Sequence, residues 1–196
     1  MAKRPFVIGL TGSIGMGKTE TARLFAAEGV PVFDADAVVH GLYAGEAAAM
    51  IEAAFPGTTR GGAVDRSALA AKVTGDPPAL KRLEGIVHPL VAEARDAFID
   101  GAQSDIVVLD VPLLLENAIA CDAVVVATAP EAVQRQRVLA RPGMTQARFQ
   151  GLLARQMSDM EKRKAAHYLV ITDKGLDHAR EQVKMILADV RAKLNA

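Results

Sequence analysis

Phe6-Val7-Ile8-Gly9-Leu10-Thr11-Gly12-Ser13-Ile14-Gly15-Met16-Gly17-Lys18-Thr19 decides the reading of this 196-residue chain. An apolar, strand-like run gives way to a glycine-rich turn, and a helical pattern follows from Lys18 to about Ala27. Gly12 to Thr19 fits G-x-x-x-x-G-K-[ST], a loop whose backbone N–H groups converge on a phosphate. Glycines let the backbone fold tightly enough to aim those groups inward, and the helix start adds its positive end. Gly12, Ser13, Ile14, Gly15, Met16, Gly17, Lys18, Thr19 and the following Glu20 are therefore the candidate nucleotide-binding residues. Lys18 is placed to reach the β- and γ-phosphates, and the Thr19 hydroxyl to sit on Mg²⁺. A chance match in such a chain is on the order of one in a hundred. The strand before it and the helix after it are what a working loop requires.

Composition narrows the remainder. The length suits one domain with a sizeable insertion, and 51% hydrophobic residues supply an ample core. Lys and Arg number 23, as do Asp and Glu, so the charge balance points to neither a nucleic-acid nor an anionic-membrane partner. The single Cys121 excludes an internal disulfide and offers no metal-ligand spacing; a small buried apolar residue is its plain reading. No apolar run approaches ~18 residues, and Met1-Ala2-Lys3-Arg4-Pro5 leads into a strand rather than a signal core. A cytoplasmic protein, a monomer or weak homo-oligomer, is expected.

Along the chain, Gly29 to Asp34 reads as a second buried strand ending in Asp34-Ala35-Asp36. A helix is expected from Ala37 to Ile51, a loop over Gly57 to Gly62, and a helix start at Asp65 or Ser67. Asp76-Pro77-Pro78 opens a helical pattern that His88-Pro89 interrupts and that resumes through Leu90, Ala94 and Phe98. Ile106 to Val111 and Asp122 to Ala127 are continuous apolar runs of the parallel-sheet type. Thr128-Ala129-Pro130-Glu131 reads as a capping box starting a helix to Arg141, where Pro142-Gly143 stops it. Thr145 to about Met157 is helical, Tyr168 to Thr172 is a fifth strand, and Asp177 to Leu194 a closing amphipathic helix. Alternating strands and helices predict a three-layer α/β/α P-loop architecture around a five-stranded parallel sheet. Its core would be about 1–35, 101–140 and 166–196, with a mostly helical insertion of about 36–100 and a lid of about 141–165.

Phosphoryl transfer also needs an acceptor site, a group to orient or deprotonate the acceptor, and cations for the moving charge. Asp34 and Asp36 follow the second strand, where a carboxylate either takes a hydroxyl proton, helps order Mg²⁺ through water, or caps the next helix. Eight cations lie between Arg135 and Lys164 against Asp159 and Glu161 alone. They form either a solvated helical face or a mobile lid that closes arginines over the nucleotide. Arg137 and Arg141, four apart beside a Pro-Gly stop, fit the lid. Val111-Pro112-Leu113-Leu114-Leu115-Glu116-Asn117 reads as an acceptor-pocket wall or as core followed by a buried helix. Asp110 is a Walker-B-like acid beside the metal or a satisfied buried carboxylate, and His88 a phosphate contact or a structural residue.

Taken in order, these residues resemble the dephospho-CoA kinase family. The likeness runs through Ile8 to Lys18, Phe33-Asp34-Ala35-Asp36, His88-Pro89-Leu90, the Pro112-Leu113-Leu114-Leu115-Glu116 segment, the Arg137-x-x-x-Arg141 pair and Arg155-Gln156. It implies that ATP, with Mg²⁺, phosphorylates the ribose 3′-hydroxyl of dephospho-CoA, giving CoA and ADP. It also implies Asp36 as base, Lys18 and Arg141 as further catalytic groups, Arg137 and Arg141 on ATP, and Thr19 on the metal. His88, Pro112, Leu113, Glu116 and Asp36 would hold the acceptor, with the insertion on the CoA side. Ser13 stands where many members have glycine, which requires a negative φ. Ala166-His167-Tyr168 replaces the usual Ala-Asp-aromatic, and Asp173 falls where asparagine is common. The alternative is another P-loop nucleotide or small-metabolite kinase. A GTPase-like switch is disfavoured, since no Asn-Lys-x-Asp and no Asp-x-x-Gly after the third strand occur. A non-catalytic binding module would not need Asp36, Lys18 and the arginines together.

Overall fold

The computed structural model describes residues 4–196. Met1, Ala2 and Lys3, the start of the segment expected to carry no signal core, lie outside the described residues. In chain order the elements are β1 (Phe6–Thr11), α1 (Lys18–Ala27), β2 (Val32–Asp34), α2 (Ala35–Tyr43), α3 (Glu46–Ala54), β3 (Thr59–Arg60), β4 (Ala63–Val64), α4 (Arg66–Val73) and α5 (Pro77–Asp100). Then follow β5 (Ile106–Asp110), β6 (Ala123–Thr128), α6 (Glu131–Leu139), α7 (Gln146–Leu153), α8 (Asp159–Ala165), β7 (Tyr168–Ile171) and α9 (Leu176–Leu194). The chain divides into two compact units, one running to Phe33 and resuming over Ala102–Ala196, the other Asp34–Gly101.

The first unit holds the expected five-stranded parallel sheet, in the order β2-β5-β1-β6-β7. β1 is central: Ile8 pairs with Val108 of β5 on one side and Ala123 of β6 on the other. Period-2 alternation sends side chains to both faces. Ile8, Leu10, Ile106, Val108, Val125 and Val170 join Phe25 of α1 and Val183 and Leu187 of α9 in one buried cluster. Val124 and Val126 point the other way, against Leu114, with Leu169 packed beside them. Gly9 lies beneath Leu114 and Cys121: a Cβ there would come within 2.7 Å of one Leu114 methyl. Cys121 is free, and burial raises its thiol pKa.

The second unit has its own core, where Ala47 and Ile51 of α3 meet Leu69 of α4 and Leu83 and Val87 of α5. Several expectations need correction here. The single helix expected from Ala37 to Ile51 is two, α2 and α3, parted at Ala44-Gly45. The loop expected over Gly57 to Gly62 contains an antiparallel hairpin, β3 with β4, turning through Gly61 and Gly62 at φ 59° and 82°. Of the two proposed starts for α4, Asp65 is the cap, accepting from the amides of Ser67 and Ala68 at 3.0 Å. Helix α5 is not interrupted at His88-Pro89 but runs through Pro89 for 24 residues. Proline leaves the Gly85 carbonyl without its partner. Both residues are exposed, so that carbonyl is open to solvent, while buried Leu83 and Val87 hold the helix to its core.

Three further corrections fall in the first unit. Thr128 is not a helix cap: it completes β6, its hydroxyl donates to the Asp159 carboxylate at 2.9–3.0 Å, and Pro130 opens α6 without a side-chain cap. Helix α6 ends at Leu139, so Arg141 lies in the turn beyond and does not share its helical face with Arg137. The helix expected to run to Met157 stops at Leu153. A separate α8 follows, begun by a reciprocal capping box between Ser158 and Glu161.

Candidate active site

Where β1 ends, the glycine-rich loop turns and feeds α1. Gly17 has φ 90°, a left-handed conformation, and a Cβ there would lie 2.9 Å from the Thr172 side chain. A Cβ on Gly12 would lie 2.8 Å from the Ala127 carbonyl oxygen. Ser13 adopts the negative φ its place requires, since Ala118 is the one described non-glycine residue at positive φ. The loop is braced through its carbonyls. Gln134 Nε2 donates to Ile14 O at 2.8 Å, Thr172 Oγ1 to Met16 O at 2.8 Å, and Arg137 to Gly15 O at 3.4 Å. Arg137 also donates to Thr172 Oγ1 at 2.9 Å and Thr172 O at 2.7 Å. These bonds engage the loop's carbonyls and not its amides, the groups an anion needs.

Lys18, the first residue of α1, donates to Asp110 at the end of β5. The side chains are 15% and 7% exposed, so the ion pair is largely dry. Thr19 and Glu20 are exposed on the first turn of α1, Glu20 accepting from Arg23 at 2.5 Å. After β5, Pro112 O accepts from Thr11 Oγ1 at 3.1 Å and Leu113 O from the Asn117 amide at 3.0 Å. Leu113 is half-buried, and Leu114 is the leucine that enters the core.

Glu116 turns toward the basic segment. Its Oε1 accepts from the Met157 amide at 2.9 Å and lies 2.9 Å from Nζ of Lys162, which is fully buried. The ammonium stands outside hydrogen-bond angles, so Lys162 Nζ and Glu116 Oε2 both keep unused capacity. Burial works to raise the Glu116 pKa, but Lys162 and the Met157 amide outweigh it and hold the carboxyl below its ordinary range. One residue before Met157, Gln156 Oε1 accepts from the Ile14 amide of the loop at 3.1 Å.

The other expected site residues are solvent-facing. Arg141 is exposed in the turn after α6. In the second unit, Asp36 is exposed on the first turn of α2 rather than at a strand end. Asp34 caps that helix, accepting from the Ala37 amide at 2.9 Å, so of its alternatives the structure shows the cap. His88 is exposed midway along α5.

Sequence reasoning passed over Gln134, read Asp159 only as a counter-charge and Thr172 only as a strand end, and gave Gln156 no role. It also left His167 open. Its Nδ1 accepts the Val124 amide at 3.1 Å while its own amide donates to Val124 O at 2.9 Å. An aspartate would place an acceptor at the same δ position. Replacing His167 by Ala should cost about 1–3 kcal/mol in urea unfolding by orphaning a buried N–H. His167→Asp should cost almost nothing, and equal losses in both variants would contradict this account.

Residues 6–178 match the family model described as dephospho-CoA kinase. A dephospho-CoA kinase of Rhodopseudomonas palustris is 56% identical over 186 residues, covering 92% of this chain and 94% of that protein. One from Mesorhizobium japonicum is 53% identical over 192 residues, covering 95% and 98%. Among solved structures, a protein from Thermus thermophilus superposes with TM-score 0.85 at 33% identity, over 95% of this chain and 98% of that one. Dephospho-CoA kinase from Campylobacter jejuni shares the fold, with TM-score 0.67 at 20% identity over 96% and 98%.

Proposed function

The chain belongs to the dephospho-CoA kinase family, and from that premise we propose which of its residues carry the reaction. It is a kinase, phosphorylating dephospho-CoA in the final step of CoA biosynthesis. In our reading the acceptor oxygen is the ribose 3′-hydroxyl. ATP lies in the loop from Gly12 to Thr19 with Glu20 beside it, and Arg137 and Arg141 contact it. Asp36 takes the proton of the attacking hydroxyl as its oxygen reaches the terminal phosphorus and ADP leaves. Lys18 moves from Asp110 to the phosphates and, with Arg141, holds charge on the transferring group. His88, Pro112, Leu113 and Glu116 contact the acceptor. The unit Asp34–Gly101 serves the CoA side, and the segment 141–165 acts as a lid in a cytoplasmic enzyme.

The observation that carries this reading is the glycine-rich loop braced through its carbonyls, with Lys18 resting on a buried carboxylate. Mg²⁺ would be held beside the same loop. A phosphate-bound Mg²⁺ takes one or two protein oxygens and otherwise water and phosphate, not a cage of carboxylates. The Thr19 hydroxyl and the Asp110 carboxylate would supply such donors, and the ion would neutralise charge on the β- and γ-oxygens. A coupled ADP-release assay with ATP, Mg²⁺ and dephospho-CoA tests the reading. Mass analysis should find the product phosphorylated on the 3′-hydroxyl, and phosphate at another hydroxyl would reject that assignment. Arg141→Ala should raise KM for ATP and lower kcat, roughly ten- to a hundred-fold in kcat/KM if one charged hydrogen bond is lost. KM for dephospho-CoA should stay near the parent value; the reverse pattern would move Arg141 to the acceptor.

A further inference from the structure

Gln156 makes a bond of a different class from the loop's other side-chain contacts. Gln134, Arg137 and Thr172 all donate to loop carbonyls, bracing it from outside. Gln156 accepts from a loop amide, Ile14 N–H, one of the donors that an anion would otherwise take. The amides leading into α1 cradle the inner phosphates. Ile14 lies four residues upstream of Lys18, so its amide serves the outer end of the phosphate chain.

The backbone around Gln156, where the later part of the segment 141–165 is anchored, is pinned. Its own amide donates to Leu153 O at 3.0 Å. The next amide, of Met157, donates to Glu116, which also pairs with buried Lys162. Ser158 then caps α8. An arriving anion therefore meets a carbonyl oxygen on a fixed stem, and like partial charges repel. A carboxamide has a remedy that a carboxylate lacks: turning about its last torsion replaces Oε1 by Nε2–H₂, an acceptor by two donors.

We propose that Gln156 is a positioning residue for the terminal phosphoryl group of ATP. Its carboxamide accepts Ile14 N–H when the loop is empty and turns to donate Nε2–H to that group when the loop is filled. The Glu116–Met157–Lys162 cluster supplies the fixed stem. The proposal rests on the reading that ATP occupies this loop and extends it to a residue with no role assigned above.

The test compares Gln156→Ala and Gln156→Glu with the parent chain. It measures kcat, both KM values, calorimetric Kd for ATP and for ADP, and the melting temperature without nucleotide. Gln156→Ala should lower kcat roughly ten- to a hundred-fold, the scale of one hydrogen bond to a charged group. It should weaken ATP relative to ADP, leaving the KM for dephospho-CoA unchanged. Gln156→Glu still accepts Ile14 N–H, so its melting temperature should match the parent, yet kcat should fall at least as far. If Gln156 merely braces the loop, Gln156→Ala lowers the melting temperature and keeps full kcat, and that result overturns the proposal. An unchanged ATP-to-ADP ratio of Kd values in Gln156→Ala overturns it equally. Failure of the parent chain to bind ATP would instead strike at the loop assignment itself, so the two failures are distinguishable.

Discussion

Lys18→Ala should abolish nearly all turnover while also lowering the melting temperature, and the two losses have separate causes. The kinetic loss comes from removing a cation aimed at charge that grows during transfer. Preorganised groups of this kind contribute on the order of 10²–10³ in kcat each. The stability loss comes from Asp110, a side chain 7% exposed from which the Lys18 ammonium would be taken away. Truncating one member of a buried pair costs about 3–5 kcal/mol. Asp110→Asn combined with Lys18→Ala replaces the largely buried carboxylate by a neutral amide, so the double variant should regain much of the melting temperature and none of the activity. A Lys18→Ala chain with parental kcat would end the assignment of Lys18 to the phosphates. A double variant no more stable than the single one would end the pair's structural account.

The second large effect is expected at Asp36. Asp36→Asn keeps size and polarity but removes the proton acceptor, and general bases contribute about 10²–10⁴ in rate. We expect kcat to fall within that range. ATP affinity should be unchanged by calorimetry, as should the melting temperature, because Asp36 is exposed while Asp34 carries the cap of α2. Turnover undiminished in Asp36→Asn would exclude it as the base. A matching loss in Asp34→Asn without melting-temperature change would shift the role two residues upstream.

Local signals made the sheet and the loop legible. β1, β5 and β6 are continuous apolar runs, and the glycine-rich turn carries its own spacing. Where reading failed, two local signals competed or one was long-range. Thr128-Ala129-Pro130-Glu131 has the letters of a capping box, but pairing with β7 keeps Thr128 extended. The same letters at Ser158 to Glu161 do make the box, hidden there inside a run of charge. Pro89 signals a break that an exposed Gly85 carbonyl and a buried helix face overrule. The bond from Ile14 to Gln156 joins positions 142 apart, and that between Thr172 and Met16 spans 156. No periodicity or spacing reports such partners; only the folded sheet brings them together.

The bracing of the glycine-rich turn through its carbonyls has a thermodynamic consequence. Fixing one residue's backbone costs about 1–2 kcal/mol, and that cost is met when the chain folds rather than when ligand arrives. Nucleotide capture by this rigid receptacle should therefore show a small entropic penalty and an association rate that loop ordering does not limit. The same rigidity gives distant Thr172 and Gln134 a share in holding the loop's shape.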